Sequence, residues 1–279
     1  METDVADRLS ALAHERRLDV FRLLMRRYPD AVPAGEIASA LGLRANTTSV
    51  YLSILRRAGL ISQTRSGTFQ LYQIRMESVQ DMFGRMLGDC CRNRPDLCLP
   101  GPTQRSLPLP DPTAERPLHV LFLCTHNSAR SIIAEAMLRA AGPRFRAHSA
   151  GTDPAEAPHP AALDLLRQHG LDTSGLTSDP VEKMLDCGIE MDMVITVCDD
   201  AANGDDVHWP GAPLHAHWGV EDPLDTGSEA ELRESMARAF AQIHRRITAF
   251  TALPIGTLPP AALQGQLDDI GRLRTPVTA

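Results

Sequence analysis

The spacing of apolar residues in the first 91 positions predicts a helix-rich domain that contains a β-hairpin. Residues 4–28 place apolar side chains three and four positions apart, which is typical of amphipathic helices. Two further helical segments follow over 34–42 and 43–59. The run LISQTRSGTFQLYQI then forms two β-rich stretches about a Ser-Gly turn, before an amphipathic helix over about 76–90. This order of elements predicts an α(+β) winged helix-turn-helix domain.

Strand and helix patterns alternate in the second half of the chain. The predicted strands are 119–124, 145–151, 191–198 and 214–219, and the predicted helices are 131–141, 159–169 and 228–251. This alternation favours a three-layer α/β domain, in which helices cover both faces of a four-stranded parallel sheet. Ligands of such sheets bind beyond the carboxyl ends of the strands. Cys124 and Cys198 each end a predicted strand, so both are expected to line one crevice.

A proline-rich segment separates these two patterns. Residues 92–116 contain six prolines and little periodicity, which is typical of a semi-rigid linker. The predicted organisation is therefore a winged helix-turn-helix domain over 1–91, this linker, an α/β domain over 117–253, and a tail over 254–279 with a short helix.

The net charge of −7 at pH 7 is divided unequally along the chain. Residues 1–116 carry 16 Arg and Lys against 13 Asp and Glu, whereas residues 117–279 carry 12 against 22. Within 31–76, five arginines accompany a single acidic residue, Glu36. This segment indicates either a polyanion partner for one part of the protein or a solvated helical face.

Hydropathy and cysteine usage indicate a cytoplasmic protein with no membrane partner. No window approaches the roughly 18 consecutive apolar residues of a membrane span, and the first ten residues are acidic and amphipathic, unlike a signal peptide. Six cysteines at irregular spacing do not resemble a secreted disulfide framework. Thiol chemistry or metal binding is therefore expected of them.

The segment Cys124-Thr-His-Asn-Ser-Ala-Arg130-Ser131 lies at a predicted strand-to-helix junction. Backbone N–H groups there can surround a tetrahedral oxyanion, helped by the positive end of the helix dipole. The predicted oxyanion-binding residues are Thr125, His126, Asn127, Ser128, Ala129 and Arg130. The same field favours a Cys124 thiolate, the predicted nucleophile, while Arg130 can hold two oxygens in its planar fork. Ser131 can donate to the thiolate, Asn127 can brace the loop, and Asp222 can supply an acid.

Residues 117–253 resemble the low-molecular-weight tyrosine phosphatases and, within that fold, the arsenate reductases. The resemblance rests on LFLCTHNSARS, SAGT, HPAALDLLRQHG, DMVITVCDDA and HWGVEDP. A phosphotyrosine cleft needs aromatic walls, yet Tyr28, Tyr51 and Tyr72 all lie in the other domain. Arsenate needs only the oxyanion loop. An arsenate reductase is therefore the favoured interpretation, and a protein tyrosine phosphatase is the alternative.

The resemblance implies a thiol-dependent reduction without a tightly bound cofactor. Cys124 would attack arsenic, Asp222 would protonate the leaving oxygen, and a thiol at the position of Cys198 would release arsenite. Thioredoxin-coupled relatives carry a third cysteine where this chain has Asp205 and Asp206. Two routes stay open: reduction of a Cys124–Cys198 disulfide, or attack on Cys124 by an external thiol. The candidate donors are glutathione with glutaredoxin, mycothiol and thioredoxin.

Other side chains of this half are expected to be structural. Cys187, just before a predicted strand, is interpreted mainly as a packing residue and secondarily as a spare thiol. His208, His215 and His217 lie near Trp218, but no nearby cysteine or carboxylate pattern completes a metal site. Packing and solvent exposure are the favoured interpretations.

The first 90 residues resemble the ArsR family of dimeric winged-helix repressors, through LSALAHERRLDVFRLL and GEIASALGLRANTTSVYLSILRRAGLISQTRSGTFQLYQI. The resemblance implies a homodimer formed through this domain and operator DNA as its partner. Polar and basic side chains of the helix over 46–57 can reach base edges and phosphates. The predicted DNA-binding residues are Asn46, Thr47, Thr48, Ser49, Tyr51, Ser53, Arg56, Arg57 and, on the wing, Arg65.

Three cysteines follow the last helix of this domain, in GDCCRNRPDLC. Trivalent arsenic forms three bonds to soft sulfur, and Cys90, Cys91 and Cys98 resemble the C-terminal arsenite site of one branch of the ArsR family. The sequence thus predicts a bifunctional arsenic-resistance protein, in which a repressor with arsenite as inducer is fused to an arsenate reductase.

Overall fold

The protein is represented by a computed structural model that describes residues 5–87, 109–204, 207 and 209–273. Two compact units make up the chain, residues 1–103 and residues 104–279. The predicted linker over 92–116 lies mostly outside the described residues. Within the described residues, no helix is both long enough and apolar enough to cross a membrane.

The amino-terminal unit consists of helices around a small antiparallel sheet. Its described elements are α1 (Val5–Leu12), α2 (Glu15–Arg26), β1 (Val32–Pro33), α3 (Ala34–Ala40), α4 (Ala45–Arg57), β2 (Ile61–Ser66), β3 (Phe69–Ile74) and α5 (Met76–Arg85). The sheet order is β1-β3-β2. Helices α3 and α4 with the β2-β3 hairpin are the predicted helix-turn-helix and wing.

The apolar stripes of the helices meet over this sheet to form one core. Val20 and Leu24 of α2 are buried with Leu52 and Leu55 of α4, because three- and four-residue spacing places each pair on one face of its helix. The hairpin turns at Gly67, whose φ of 58° is in the left-handed region that glycine adopts without strain. The wing therefore extends from a packed base to an exposed tip.

The carboxy-terminal unit is a four-stranded parallel sheet with helices on both faces, as predicted. Its described elements are β4 (Leu118–Cys124), α6 (Arg130–Ala140), β5 (Phe145–Gly151), α7 (Pro160–Gln168), α8 (Val181–Asp186), β6 (Met193–Thr196), α9 (Asp199–Asn203), β7 (Leu214–His217), α10 (Glu229–Thr251), a 3-10 turn (Ile255–Thr257) and α11 (Pro260–Gly271). The strand order is β5-β4-β6-β7, and every adjacent pair is parallel.

Alternate residues of the central strand β4 belong to opposite cores. Val120 and Phe122 are buried in the larger core, whereas Leu121 and Leu123 are buried in the smaller core on the other face. Both sets are apolar because a parallel strand between two helical layers has no solvent face. The central position of β4 brings its carboxyl end, Cys124, to the middle of the sheet edge.

The tail covers β7 with helix α11. The Trp218 Nε1 donates a hydrogen bond of 3.0 Å to the Leu267 carbonyl, and the buried Arg246 donates to the Gly271 carbonyl at 2.9 Å. The same guanidinium donates to the Gly219 carbonyl at 3.0 Å. These bonds attach the tail to the segment that follows β7.

Candidate functional site

The thiol of Cys124 lies where β4 ends, and α6 begins six residues later at Arg130. The Cys124 Sγ receives a hydrogen bond of 3.1 Å from the Asn127 backbone N–H. It also lies 2.9 Å from the Ser131 Oγ, which can donate to a thiolate. Both predicted neighbours thus contact the sulfur, each through a group that can donate a hydrogen bond to it.

The loop directs its carbonyl groups away from the sulfur. The carbonyl oxygens of Cys124, Thr125, His126 and Ser128 accept hydrogen bonds from backbone N–H groups of residues 152–159 at 2.8–3.1 Å, and the Asn127 carbonyl accepts one of 2.7 Å from the Ser178 Oγ. A trans peptide points its C=O and N–H groups in opposite directions. The N–H groups of residues 125–129 are therefore turned inward and can bind an anion.

Asn127 holds this loop conformation from within. It is fully buried with a φ of 45°, a left-handed conformation that asparagine tolerates better than most residues. Its Nδ2 donates to the Ser131 Oγ at 2.9 Å and the Ser149 Oγ at 2.8 Å, and its Oδ1 accepts from the Asp179 N–H at 2.7 Å. Every polar group of the amide side chain is used, so the loop shape is specified.

A buried carboxyl continues this network behind the loop. The Ser149 Oγ donates to the Glu135 Oε2 at 2.6 Å, and Glu135 also pairs with Arg139. Burial raises the pKa of the Glu135 carboxyl. Gly151 completes the wall, since a Cβ there would lie 2.5 Å from the Thr125 carbonyl oxygen. Glu135, Ser149 and Gly151 were not predicted as site residues, although Ser149 and Gly151 belong to the SAGT motif.

Arg130 and Asp222 form an ion pair beside the loop. The Arg130 Nη2 lies 2.6 Å from the Asp222 Oδ2, and its Nη1 donates to the Val220 carbonyl at 3.1 Å. The other carboxylate oxygen of Asp222 accepts from the Leu224 N–H at 3.0 Å. The predicted anion-binding cation and the predicted acid are thus in contact, although 92 positions separate them in the chain.

Cys198 is buried next to the loop, at the amino terminus of α9. Its Sγ accepts from the Ala201 N–H at 3.4 Å and lies 3.4 Å from the Thr125 Oγ1. Burial raises the pKa of the Cys198 thiol, and the nearby negative charge of Cys124 raises it further. If the Cys124 sulfur became covalently bound, it would lose this negative charge. Only burial would then raise the pKa of the Cys198 thiol.

Cys187 lies apart from these two cysteines. It follows α8 and is exposed, and its Sγ donates to the Met184 carbonyl at 3.0 Å. The interpretation of Cys187 as a packing residue is therefore wrong, because six residues of α8 bury only Val181 and leave the end of the helix in solvent.

The other side chains of the carboxy-terminal unit that were singled out in the sequence lie in different environments. His126 is exposed and its Nδ1 lies 3.0 Å from the Asp153 carbonyl oxygen, while Trp218 packs against Phe122 in the core. The His217 Nδ1 lies 2.8 Å from the Thr196 Oγ1 on the neighbouring strand, which agrees with a packing role. The predictions for Asp205, Asp206, His208, Cys90, Cys91 and Cys98 fall outside the described residues.

The predicted DNA-binding residues lie mainly on the solvent side of α4. Asn46, Ser49, Arg56 and Arg57 are exposed, Thr47, Tyr51 and Ser53 are half-buried, and Arg65 is exposed on β2. Thr48 is the exception: it is 1% exposed and its hydroxyl donates to the Arg44 carbonyl at 3.1 Å. Including Thr48 was wrong, since it shares the buried face of the helix with Leu52 and Leu55.

Two sequence families match this chain. Residues 119–253 match the family described as low molecular weight phosphotyrosine protein phosphatase, and residues 12–64 match a helix-turn-helix domain. The fold and the thiol loop thus define the carboxy-terminal unit as a domain of the low-molecular-weight phosphatase class.

Known relatives place the chain within that class. It is 36% identical to the arsenate reductase of Bacillus licheniformis over 136 residues, which are 47% of this chain and 93% of the relative. It is 32% identical to the glutaredoxin arsenate reductase of Synechocystis over 105 residues, or 37% and 77% of the two chains. The chain belongs to the arsenate reductase family and carries an ArsR-type winged helix-turn-helix domain that precedes the reductase domain in the sequence.

One solved structure resembles the amino-terminal unit. It is the homodimeric winged helix-turn-helix domain of Mb0332 from Mycobacterium bovis, a possible ArsR-family transcriptional regulator. The identity is 32%, the TM-score is 0.26, and the match covers 33% of this chain and 82% of that chain.

Proposed function

We propose that this protein reduces arsenate through Cys124 and Cys198 and represses transcription until arsenite accumulates. The observation that best supports arsenate reduction is the set of contacts around the Cys124 sulfur. Its sulfur contacts an inward N–H group and a hydroxyl, in a loop whose carbonyl groups are bonded outward. A tetrahedral oxyanion has the charge and shape for such a loop.

The first step is nucleophilic attack by the Cys124 thiolate on arsenic(V). A sulfur–arsenic bond forms, the bond between arsenic and one hydroxyl group breaks, and a proton from Asp222 converts the departing hydroxyl to water. We propose that Arg130 holds arsenate oxygens, which requires that its guanidinium exchanges its bond with Asp222 for bonds with the anion.

The second step is attack by Cys198 on the Cys124 sulfur. A disulfide forms, the electron pair of the sulfur–arsenic bond stays on arsenic, and arsenite leaves as arsenic(III). The nearness of both cysteines to Thr125 supports Cys198 as this second thiol. The first step assists it: burial still raises the pKa of Cys198, but a sulfur bonded to arsenic no longer carries the charge that raises this pKa further.

An external thiol system then reduces the disulfide. The chain's relative in Synechocystis is named a glutaredoxin arsenate reductase, which supports glutathione with glutaredoxin as the first donor to test. Mycothiol and thioredoxin are the other candidates. The described residues supply one exposed cysteine, Cys187, and it lies at the end of α8 rather than beside Cys198.

A protein tyrosine phosphatase is the second candidate, favoured by the description of the matching family. The experiment that separates the two supplies the purified full-length chain with arsenate or with an aryl phosphate ester, and with each donor in turn. We expect arsenite with at least one donor and slow ester hydrolysis. Rapid ester hydrolysis without arsenite would reject the reductase.

For the regulatory part, we propose a homodimer that binds operator DNA through α4 and the wing. Leu9 of α1 and Phe83 of α5 are exposed apolar side chains, and Arg8 joins these two helices through an ion pair of 2.8 Å with Asp81. Exposed apolar side chains on two helices that this ion pair joins support α1 and α5 as the surface that pairs the two copies. A dimer would present two α4 helices to successive turns of the major groove.

We propose Cys90, Cys91 and Cys98 as the arsenite sensor. Arsenite is expected to release the full-length protein from DNA, and replacing all three cysteines by serine is expected to abolish release while DNA affinity stays within about twofold. Fluorescence anisotropy of labelled DNA at increasing arsenite measures both quantities. Cys187→Ser is the matched control and should respond like the wild type. A triple variant that still responds would place the sensor elsewhere.

A further inference from the structure

Four large apolar side chains are exposed among residues 5–87: Leu9, Val50, Phe69 and Phe83. Leu9 and Phe83 belong to the surface proposed for dimerisation. Val50 lies on α4 and Phe69 lies next to the turn of the wing, the two elements proposed to meet DNA. The amino-terminal unit therefore exposes apolar side chains on its DNA-facing elements as well.

Val50 is 56% exposed and lies in the middle of the polar face of α4. Asn46, Ser53 and Arg57 are four, three and seven positions away, so they share this face. The core does not use Val50, because Leu52 and Leu55 fill the buried side of the helix. Valine also has a lower helix propensity than alanine, so neither packing nor helix formation explains it.

Side-chain hydrogen bonds connect the polar face of α4 to the wing. Arg56 donates a hydrogen bond to the side chain of Gln63 on β2, and the Gln63 Nε2 donates to the Gln70 Oε1 on β3 at 2.6 Å. These bonds connect the carboxy-terminal end of α4 with both strands of the hairpin. Val50, Asn46 and Ser49 are all exposed on α4, so a duplex that contacts the wing and α4 can meet all three side chains.

We infer that Val50 reads thymine, by van der Waals contact with its C5-methyl group in the major groove. This methyl is the apolar group that distinguishes thymine there, and an aliphatic side chain among hydrogen-bonding neighbours is the chemistry that recognises it. Asn46 and Ser49 then supply polar contacts to adjacent bases. The inference rests on the proposed DNA-binding function and adds a specificity-determining residue to it.

Uracil substitution tests this contact, because uracil lacks only the methyl and keeps the hydrogen-bonding groups of thymine. The full-length protein first selects a duplex from a randomised library, and each thymine of that duplex is then replaced by uracil. We expect replacement of one thymine in each half-site to weaken binding by about three- to tenfold for the wild type. For Val50→Ala, the same replacement should change affinity by less than about twofold.

Ile189→Ala is the matched control, since it removes an apolar side chain that is 39% exposed and lies outside α4 and the wing. It should keep the wild-type ratio between the thymine and uracil duplexes, and thermal melting should show all three proteins folded. The inference is overturned if no uracil position weakens binding, or if Val50→Ala keeps the ratio. If the protein selects no duplex at all, the proposed DNA-binding function fails first, and the inference with it.

Discussion

Replacing Cys124 by serine is expected to abolish arsenate reduction, lowering kcat/KM by more than about three orders of magnitude. The serine hydroxyl has the position of the thiol but stays protonated at neutral pH, and it cannot form the disulfide whose formation supplies the two electrons that reduce arsenic(V) to arsenic(III). The measurement is arsenite formation by the full-length chain, with the donor that supports the wild type.

Anion binding by the same variant separates chemistry from folding. The outward carbonyl groups do not involve the sulfur, and the sulfur contacts the Asn127 network through the Asn127 N–H and the Ser131 Oγ, while the other bonds of the network are made without it. Cys124→Ser should therefore still bind phosphate, within about tenfold of the wild-type Kd. If the variant reduces arsenate at a rate near that of the wild type, Cys124 is not the nucleophile.

Replacing Cys198 by serine is expected to lower multiple turnover to below about one per cent. Arsenic would remain bound to Cys124 after the first step, since the thiol that should attack the sulfur is missing. Cys187→Ser is the matched control, because Cys187 is exposed at the end of α8 and contacts neither Cys124 nor Thr125 through any described hydrogen bond. Its turnover should stay within about twofold of the wild type.

These two variants also distinguish the routes of thiol exchange. If Cys198→Ser keeps wild-type turnover with glutathione, an external thiol attacks Cys124 directly and Cys198 serves the fold. If Cys187→Ser is the inactive variant instead, the assignment of the second thiol to Cys198 is wrong. Arsenite formation over one turnover and over many turnovers measures both possibilities.

The parts of the fold that the sequence predicts well are those with a strong hydrophobic pattern, either periodic or continuous. The run HVLFLC predicts 119–124, and the strand extends over Leu118–Cys124, because a strand buried on both faces is apolar at every position. Helix α8, with six residues and Val181 as its one buried residue, has too little periodicity for prediction. The predicted strand over 191–198 is longer than the observed strand, Met193–Thr196. Apolar residues continue beyond the residues that pair with β4, so the apolar run does not mark where the strand ends.

In the candidate site, contacts within one segment of the sequence could be predicted, and contacts between distant segments could not. Cys124, Arg130 and Ser131 belong to one continuous segment, so the strand-to-helix junction predicts their approach. The bond between Asn127 and Asp179 joins residues 52 positions apart, and no local pattern encodes it. Local sequence also does not show which side chains are exposed. Val50 and Thr48 are two positions apart on one helix, and only the packing of α4 buries Thr48 and exposes Val50.

The central claim is that Cys124 attacks arsenate and Cys198 then releases arsenite by forming a disulfide with it. Disulfide mapping by mass spectrometry, after the reduced full-length protein receives one equivalent of arsenate without a donor, tests this claim most directly. We predict one Cys124–Cys198 disulfide for each arsenite released. Arsenite released while both thiols remain free, or a disulfide that pairs Cys124 with another cysteine, would contradict it.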